Sequence, residues 1–228
     1  MDCPSITNIY CIGRNYAEHA QELGNAIPTE PLVFLKPTGA VCRSGATAYL
    51  PAYAERVDHE VELVLRIARD LDWHAPLAHD ETFGLVSHFA VGIDFTARDL
   101  QDAAKKKGNP WSVAKGFETS AALGPFLPAS ALASPTALDS LSLELAIDGA
   151  VKQSGSTSAM LFDCATLINF LGSRFRLLEG DLIFTGTPPG VGPVAAGTRI
   201  EAKILEYPAS RLNLGVERSP KPTAYRFT

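Results

Sequence analysis

Proline and glycine interrupt this chain too often for long helices to form. Sixteen prolines and 18 glycines are spread through its 228 residues and cut it into short apolar runs. Proline breaks a helix interior and glycine weakens it, so the runs between them read as strands joined by turns. The expected architecture is sheet-rich α+β with a few peripheral helices. Strands are predicted over residues 6–12, 31–36, 57–67, 88–95, 141–147, 151–153, 181–187 and 198–204. Asp148-Gly149 between two alternating runs marks a hairpin. Helices are predicted over 15–23, near 80–83, over 96–107 with Gly108, Asn109 and Pro110 as its stop, and over 160–171.

Composition narrows the class. Hydrophobic residues make up 46% of the chain, enough for a sizeable core, and the charge sums to 20 − 25 = −5. Binding nucleic acid through its phosphates takes a clustered basic excess, and here only Lys105, Lys106 and Lys107 form a run, so no nucleic-acid partner is expected. No stretch of 18 apolar residues runs together, so no membrane partner is expected either. Four cysteines without C-x-x-C spacing, and a start with neither a basic n-region nor an apolar h-region, predict a cytoplasmic protein with reduced thiols. The length suits one domain over 1–228, with a first strand to residue 12, a helix hung between Gly13 and Gly24 that could close as a lid over 13–25, and a variable tail over 207–228.

Three groups of residues carry chemistry. In Val57-Asp58-His59-Glu60-Val61-Glu62-Leu63-Val64-Leu65, period-two alternation turns Val57, Val61, Leu63 and Leu65 toward a core and Asp58, Glu60 and Glu62 to the other face. That acidic face is either a solvated strand surface or a ligand set for a hard divalent cation. Asp94 falls where a strand gives way to a helix; if the helix starts promptly, Asp94, Arg98 and Gln101 share one surface at i, i+4, i+7. The set fits a third ligand with substrate-binding partners, or an ordinary helix start. His19 and Glu22, at i, i+3, make either a general-base dyad or an exposed surface pair.

In order along the chain stand Gly13-Arg14-Asn15-Tyr16-Ala17-Glu18-His19, Phe34-Leu35-Lys36-Pro37, His59-Glu60-Val61-Glu62-Leu63, Asp94-Phe95-Thr96-Ala97-Arg98-Asp99, Trp111-Ser112-Val113-Ala114-Lys115-Gly116-Phe117, and the run from Gly180 to Gly192. These six blocks, covering about residues 9–204, resemble the fumarylacetoacetate hydrolase superfamily, in particular its single-domain acylpyruvase and oxaloacetate decarboxylase branch. The resemblance implies the mixed β-roll of that family's catalytic domain and a homodimer. It implies Mg²⁺ or Mn²⁺ on Glu60, Glu62 and Asp94, and His19 and Glu22 as a water-activating dyad on a mobile helix. Lys115 would be a catalytic lysine near the metal, and Arg14, Tyr16, Lys36, Arg98, Gln101 and Thr187 would line a site for a small 2-oxo acid.

Such a site stabilises an enolate, so hydrolysis of an acylpyruvate such as fumarylpyruvate to pyruvate and a carboxylic acid is the leading expectation. Decarboxylation of oxaloacetate and isomerisation of an unsaturated 2-oxo diacid use the same enolate, and a non-catalytic sensor of oxo acids or metal is the alternative from another class. Asp58, where relatives often carry His, is expected to add negative charge near the metal.

Overall fold

The structure, a computed structural model, describes residues 5–18, 27–72 and 77–221. His19 and Glu22, and with them most of the predicted lid helix, lie outside the described residues.

The largest sheet runs in the order Leu32–Lys36, Ile9–Gly13, Leu182–Phe184, Val61–Ile67, Val86–Asp94, Ala121–Leu123 and Val41–Arg43, with Leu127–Pro128 paired beside Val86–Asp94. A second sheet is ordered Ala150–Ser156, Ser142–Ile147, Arg199–Ile204, Tyr207–Arg218 and Thr47–Leu50. A small third one joins Gly192–Pro193, Val57–His59 and Thr96–Ala97. The predicted strands and hairpin are all present, with shifted ends.

The alternation of the central strands explains the layering. Leu63, Leu65 and Ile67, with Phe89, Val91 and Ile93 beside them, face a core shared with Leu143, Leu145, Ile200, Ala202, Leu212 and Leu214 of the second sheet. The helix Cys164–Gly172 adds Leu167, Ile168 and Leu171 to the same core. Val64, on the opposite face, joins a smaller cluster with Ile9, Cys11, Leu123, Leu182 and Phe184. Val61–Ile67 is therefore buried on both faces, so of the two readings of its acidic face the solvated one does not hold. At roughly 1.5–3 kcal/mol for each large apolar side chain buried, these two clusters hold the sheets together.

Several boundaries differ for local reasons. The long strand predicted over 57–67 is broken at Glu60, which belongs to neither Val57–His59 nor Val61–Ile67. The helix expected over 96–107 begins only at Arg98, because Thr96 and Ala97 pair with Asp58 and Val57. Gly108, at φ 69°, ends it with its N–H on Ala104 O and Lys105 O. The helix expected from Met160 starts at Cys164, where the Asp163 carboxylate caps Thr166 N. Within the tail, Tyr207–Arg218 forms a twelve-residue strand that was not predicted, antiparallel to Arg199–Ile204 and parallel to Thr47–Leu50. Cys11, Cys42 and Cys164 are buried free thiols. No helix among the described residues is long and apolar enough to cross a membrane.

Candidate active site

The antiparallel register of the two central strands sets Val61 opposite Ile93 and Glu62 opposite Gly92, and Asp94 N donates to Glu60 O at 2.8 Å. Glu60, Glu62 and Asp94 thus meet at one end of the sheet, with an oxygen from each lying within 4.8 Å of the others. All three are at least 95% buried. Like charges this close in a site nearly closed to water repel strongly. The Glu62 carboxyl is pushed well above its ordinary range, by burial first and then by Asp94 and Glu60, although Gly186 N donates to its Oε2 at 2.8 Å.

Cations answer the charge. Lys115, on the short helix Ser112–Lys115, places Nζ 2.8 Å from Glu60 Oε2 and 2.5 Å from Asp94 Oδ2. Burial works against its ammonium, but Asp94 and Glu60 outweigh it and hold the pKa above the usual lysine value. Lys36, at the end of an edge strand, stands 2.7 Å from Asp94 Oδ1, bonds Phe95 O at 3.2 Å and also donates to Lys115 O. Arg98 gives Nη2 to Glu60 Oε1 at 2.5 Å, Nε to Asp58 Oδ2 at 2.8 Å and Nη1 to Gln101 Oε1 at 2.7 Å. Phe34 covers Lys115 Nζ at 4.8 Å from its ring centre, an aromatic wall for a cation.

Of the residues singled out in the sequence, Glu60, Glu62, Asp94, Lys115, Lys36, Arg98 and Gln101 are joined by these contacts. Arg98 and Gln101 meet as i, i+3 helix neighbours, whereas Asp94 ends the strand Val86–Asp94 and pairs with Lys36 and Lys115. Asp58 is a correction: its carboxylate is enclosed by Arg56 at 2.7 Å and Arg98 at 2.8 Å, so its charge is spent on arginines and not added beside Glu62. Thr187 is buried and takes a hydrogen bond from Gln153. Arg14 has φ 60° beyond the first strand, and neighbouring Asn15 pins that turn through Nδ2 to Thr185 O at 2.8 Å and Phe162 O at 3.0 Å. The Tyr16 hydroxyl is buried without a hydrogen-bond partner among the described residues.

Sequence reading missed Thr96, whose hydroxyl donates to Glu60 Oε1 at 3.0 Å, as well as Gly186 and Gln153. The T-A-R run and the G-T-P-P-G loop signalled the first two; nothing local signalled Gln153. His79, Asp139 and Asp163 also converge, but they are partly or largely exposed and Asp163 is occupied as a helix cap.

The donor set fits a divalent cation. Three anionic oxygens are the ligands hard Mg²⁺ and Mn²⁺ prefer. Asp94 Oδ1 is buried and meets Lys36 Nζ at 2.7 Å as an ion pair, without a hydrogen bond of good geometry among the described residues.

The domain is thus curled and sheet-rich, with a buried carboxylate triad at the ends of its central strands, flanked by two lysines and an arginine. The family model described as "Fumarylacetoacetate (FAA) hydrolase C-terminal" matches residues 8–216. The chain belongs to the fumarylacetoacetate hydrolase family. It is 45% identical to the mitochondrial oxaloacetate tautomerase FAHD1 of Arabidopsis thaliana, covering 95% of this chain and 93% of that one. Against the protein of the same name from Bos taurus it is 39% identical, over 86% of each chain. Among solved structures, fumarylpyruvate hydrolase from Pseudomonas aeruginosa, in complex with Mn²⁺ and pyruvate, matches with TM-score 0.84 and 34% identity, covering 94% of this chain and 91% of that one.

Proposed function

We propose that this enzyme binds a divalent cation and a small 2-oxo acid and moves protons between the keto and enol forms of the acid, with oxaloacetate as the substrate. The observation that carries the reading is the buried ammonium of Lys115 bridging Glu60 and Asp94 beside Glu62. A bound Mg²⁺ or Mn²⁺ on Glu60, Glu62 and Asp94 supplies a positive centre that favours negative charge on the 2-oxo oxygen.

The rest falls to the chain itself. Lys115 has one N–H beyond the two given to Glu60 and Asp94, enough to bind a substrate oxygen or pass a proton to it. Lys36 and Arg98 hold Asp94 and Glu60 in place by ion pairs. Thr187 contributes a hydroxyl for the substrate, and Phe34 keeps water from one side of Lys115. In ketonisation the Lys115 ammonium, kept protonated by Glu60 and Asp94, would give its third proton to the substrate carbon, and the amine so formed would take up the proton leaving the enol hydroxyl, so that the protons balance. The names of the tautomerase relatives, at 45% and 39% identity, favour tautomerisation over decarboxylation or other isomerisations.

Carbon–carbon hydrolysis of an acylpyruvate is the second reading, favoured by the i, i+3 spacing of His19 and Glu22 and by the likeness to fumarylpyruvate hydrolase. Hydrolysis needs an activated water, so the two readings separate at His19. Enol oxaloacetate should ketonise faster with enzyme and Mg²⁺, followed by ultraviolet absorbance, and His19→Ala should retain much of that rate. Pyruvate release from acylpyruvates should require His19. Rapid pyruvate release from acylpyruvates with no acceleration of ketonisation would replace the first reading by the second.

A further inference from the structure

Gln153 is the one fully buried residue of the hairpin strand Ala150–Ser156. The register with Ser142–Ile147 pairs Leu145 with Gln153 and Ala146 with Val151, leaving Lys152 as the bulged residue. Such a bulge re-aims a side chain, here from the edge of the second sheet toward the active site. Gln153 Oε1 accepts from Val61 N at 3.0 Å and lies 2.8 Å from His59 Nδ1, while Nε2 donates to Thr187 Oγ1 at 2.8 Å and Pro188 O at 2.9 Å.

The chemistry of these partners permits one orientation of the amide. A carbonyl only accepts and a backbone N–H only donates, so Nε2 must face Pro188 and Oε1 must face Val61. It follows that His59 carries its proton on Nδ1. It follows too that Thr187 Oγ1 has a lone pair taken by Gln153. Among the described residues its own proton has only Pro188 O at 3.5 Å as an alternative, so that proton is available to a ligand.

His59 and Val61 are the residues on either side of Glu60, so a single amide oxygen straps the break in which Glu60 sits. Two glycines allow the close fit. A Cβ on Gly155 would stand 2.4 Å from Pro188 Cβ, and one on Gly190, at φ +95°, would stand 2.5 Å from Lys152 O.

We propose that Gln153 is a positioning residue whose amide oxygen fixes the aim of Glu60 at the cation and whose amide nitrogen makes Thr187 a hydrogen-bond donor to the substrate. The Thr187 end rests on the 2-oxo acid reading; the Glu60 end needs only the cation. Outer partners of metal ligands typically change affinity by roughly 10- to 100-fold when removed.

The test uses the full chain, stripped with EDTA, with Mn²⁺ alone titrated calorimetrically, followed by KM and kcat for oxaloacetate at saturating Mn²⁺. Gln153→Leu should weaken Mn²⁺ binding about 10- to 100-fold and raise KM. Gln153→Glu keeps the oxygen and loses the donor, so it should retain Mn²⁺ affinity and raise KM alone. Thr187→Val should raise KM in the wild-type background and add nothing to either Gln153 variant. Wild-type Mn²⁺ affinity in Gln153→Leu, or KM effects that simply add, would overturn the proposal. If Gln153→Leu does not fold, the cycle of Gln153→Glu with Thr187→Val decides by the same non-additivity. A wild type that binds Mn²⁺ but turns over no 2-oxo acid sinks the functional reading, while the Mn²⁺ comparison still decides the Glu60 end.

Discussion

Lys115 stands between two carboxylates that would otherwise face each other in a site almost closed to water. Removing one partner of a buried pair costs about 3–5 kcal/mol because it leaves charge uncompensated. Lys115→Met should therefore lower the melting temperature of the EDTA-treated protein by on the order of 10 °C. Excess Mn²⁺ should restore most of that loss while turnover stays abolished, because the cation replaces the ammonium's charge and not its protons. Equal melting of variant and wild type in EDTA would show that Lys115 does not balance Glu60 and Asp94. Glu62→Gln should behave oppositely: it removes a repelling charge, so the metal-free protein should melt no lower than wild type, and the Mn²⁺-induced rise should disappear. A Glu62→Gln variant that keeps the full Mn²⁺-induced rise would remove Glu62 from the ligand set. At this scale Glu60, Glu62 and Asp94 were legible because strand periodicity and a strand end are local patterns. The Arg98–Asp58 pair, the Thr96 bond and the Gln153 clamp join residues 40, 36 and 34 or more positions apart, and no local pattern encodes them.

Among the elements, Tyr207–Arg218 teaches most. Ser210, Leu212, Leu214 and Val216 are buried and Arg211, Asn213, Gly215 and Glu217 exposed, a clean period of two that was present in the sequence. The Pro208 near its start reads as a strand breaker and obscures that alternation. Here Pro208 sits at the second residue of the strand, before the buried alternation begins, and Leu212 packs in the main core. Leu212→Ala should cost about 2–5 kcal/mol in denaturant unfolding, against about 0.5 kcal/mol or less for Asn213→Ala on the exposed face. Similar costs at the two positions would mean that the strand does not form part of the core. The break at Glu60 was illegible for a different reason: an uninterrupted alternation predicts an uninterrupted strand, and the interruption comes from Gln153 and from the pairing of Val57–His59 with other partners.

For the whole molecule, punctuation by proline and glycine correctly implied short strands and a sheet-rich fold, and the order of six motifs implied the family. Neither could show that two sheets share one core through residues as far apart as Leu63 and Leu214, since that depends on the register of non-local pairs. The homodimer implied by the family is a proposal that light scattering of the purified chain decides, with a two-chain particle expected and a single chain counting against it. The claim on which most depends is that Glu60, Glu62 and Asp94 hold a catalytic divalent cation. The most direct check is the ketonisation rate of oxaloacetate by protein stripped with EDTA and then resupplied with Mg²⁺ or Mn²⁺. Acceleration should vanish on stripping, return with the cation in the wild type, and fail to return in Glu62→Gln; acceleration that survives thorough chelation would contradict a metal-dependent site.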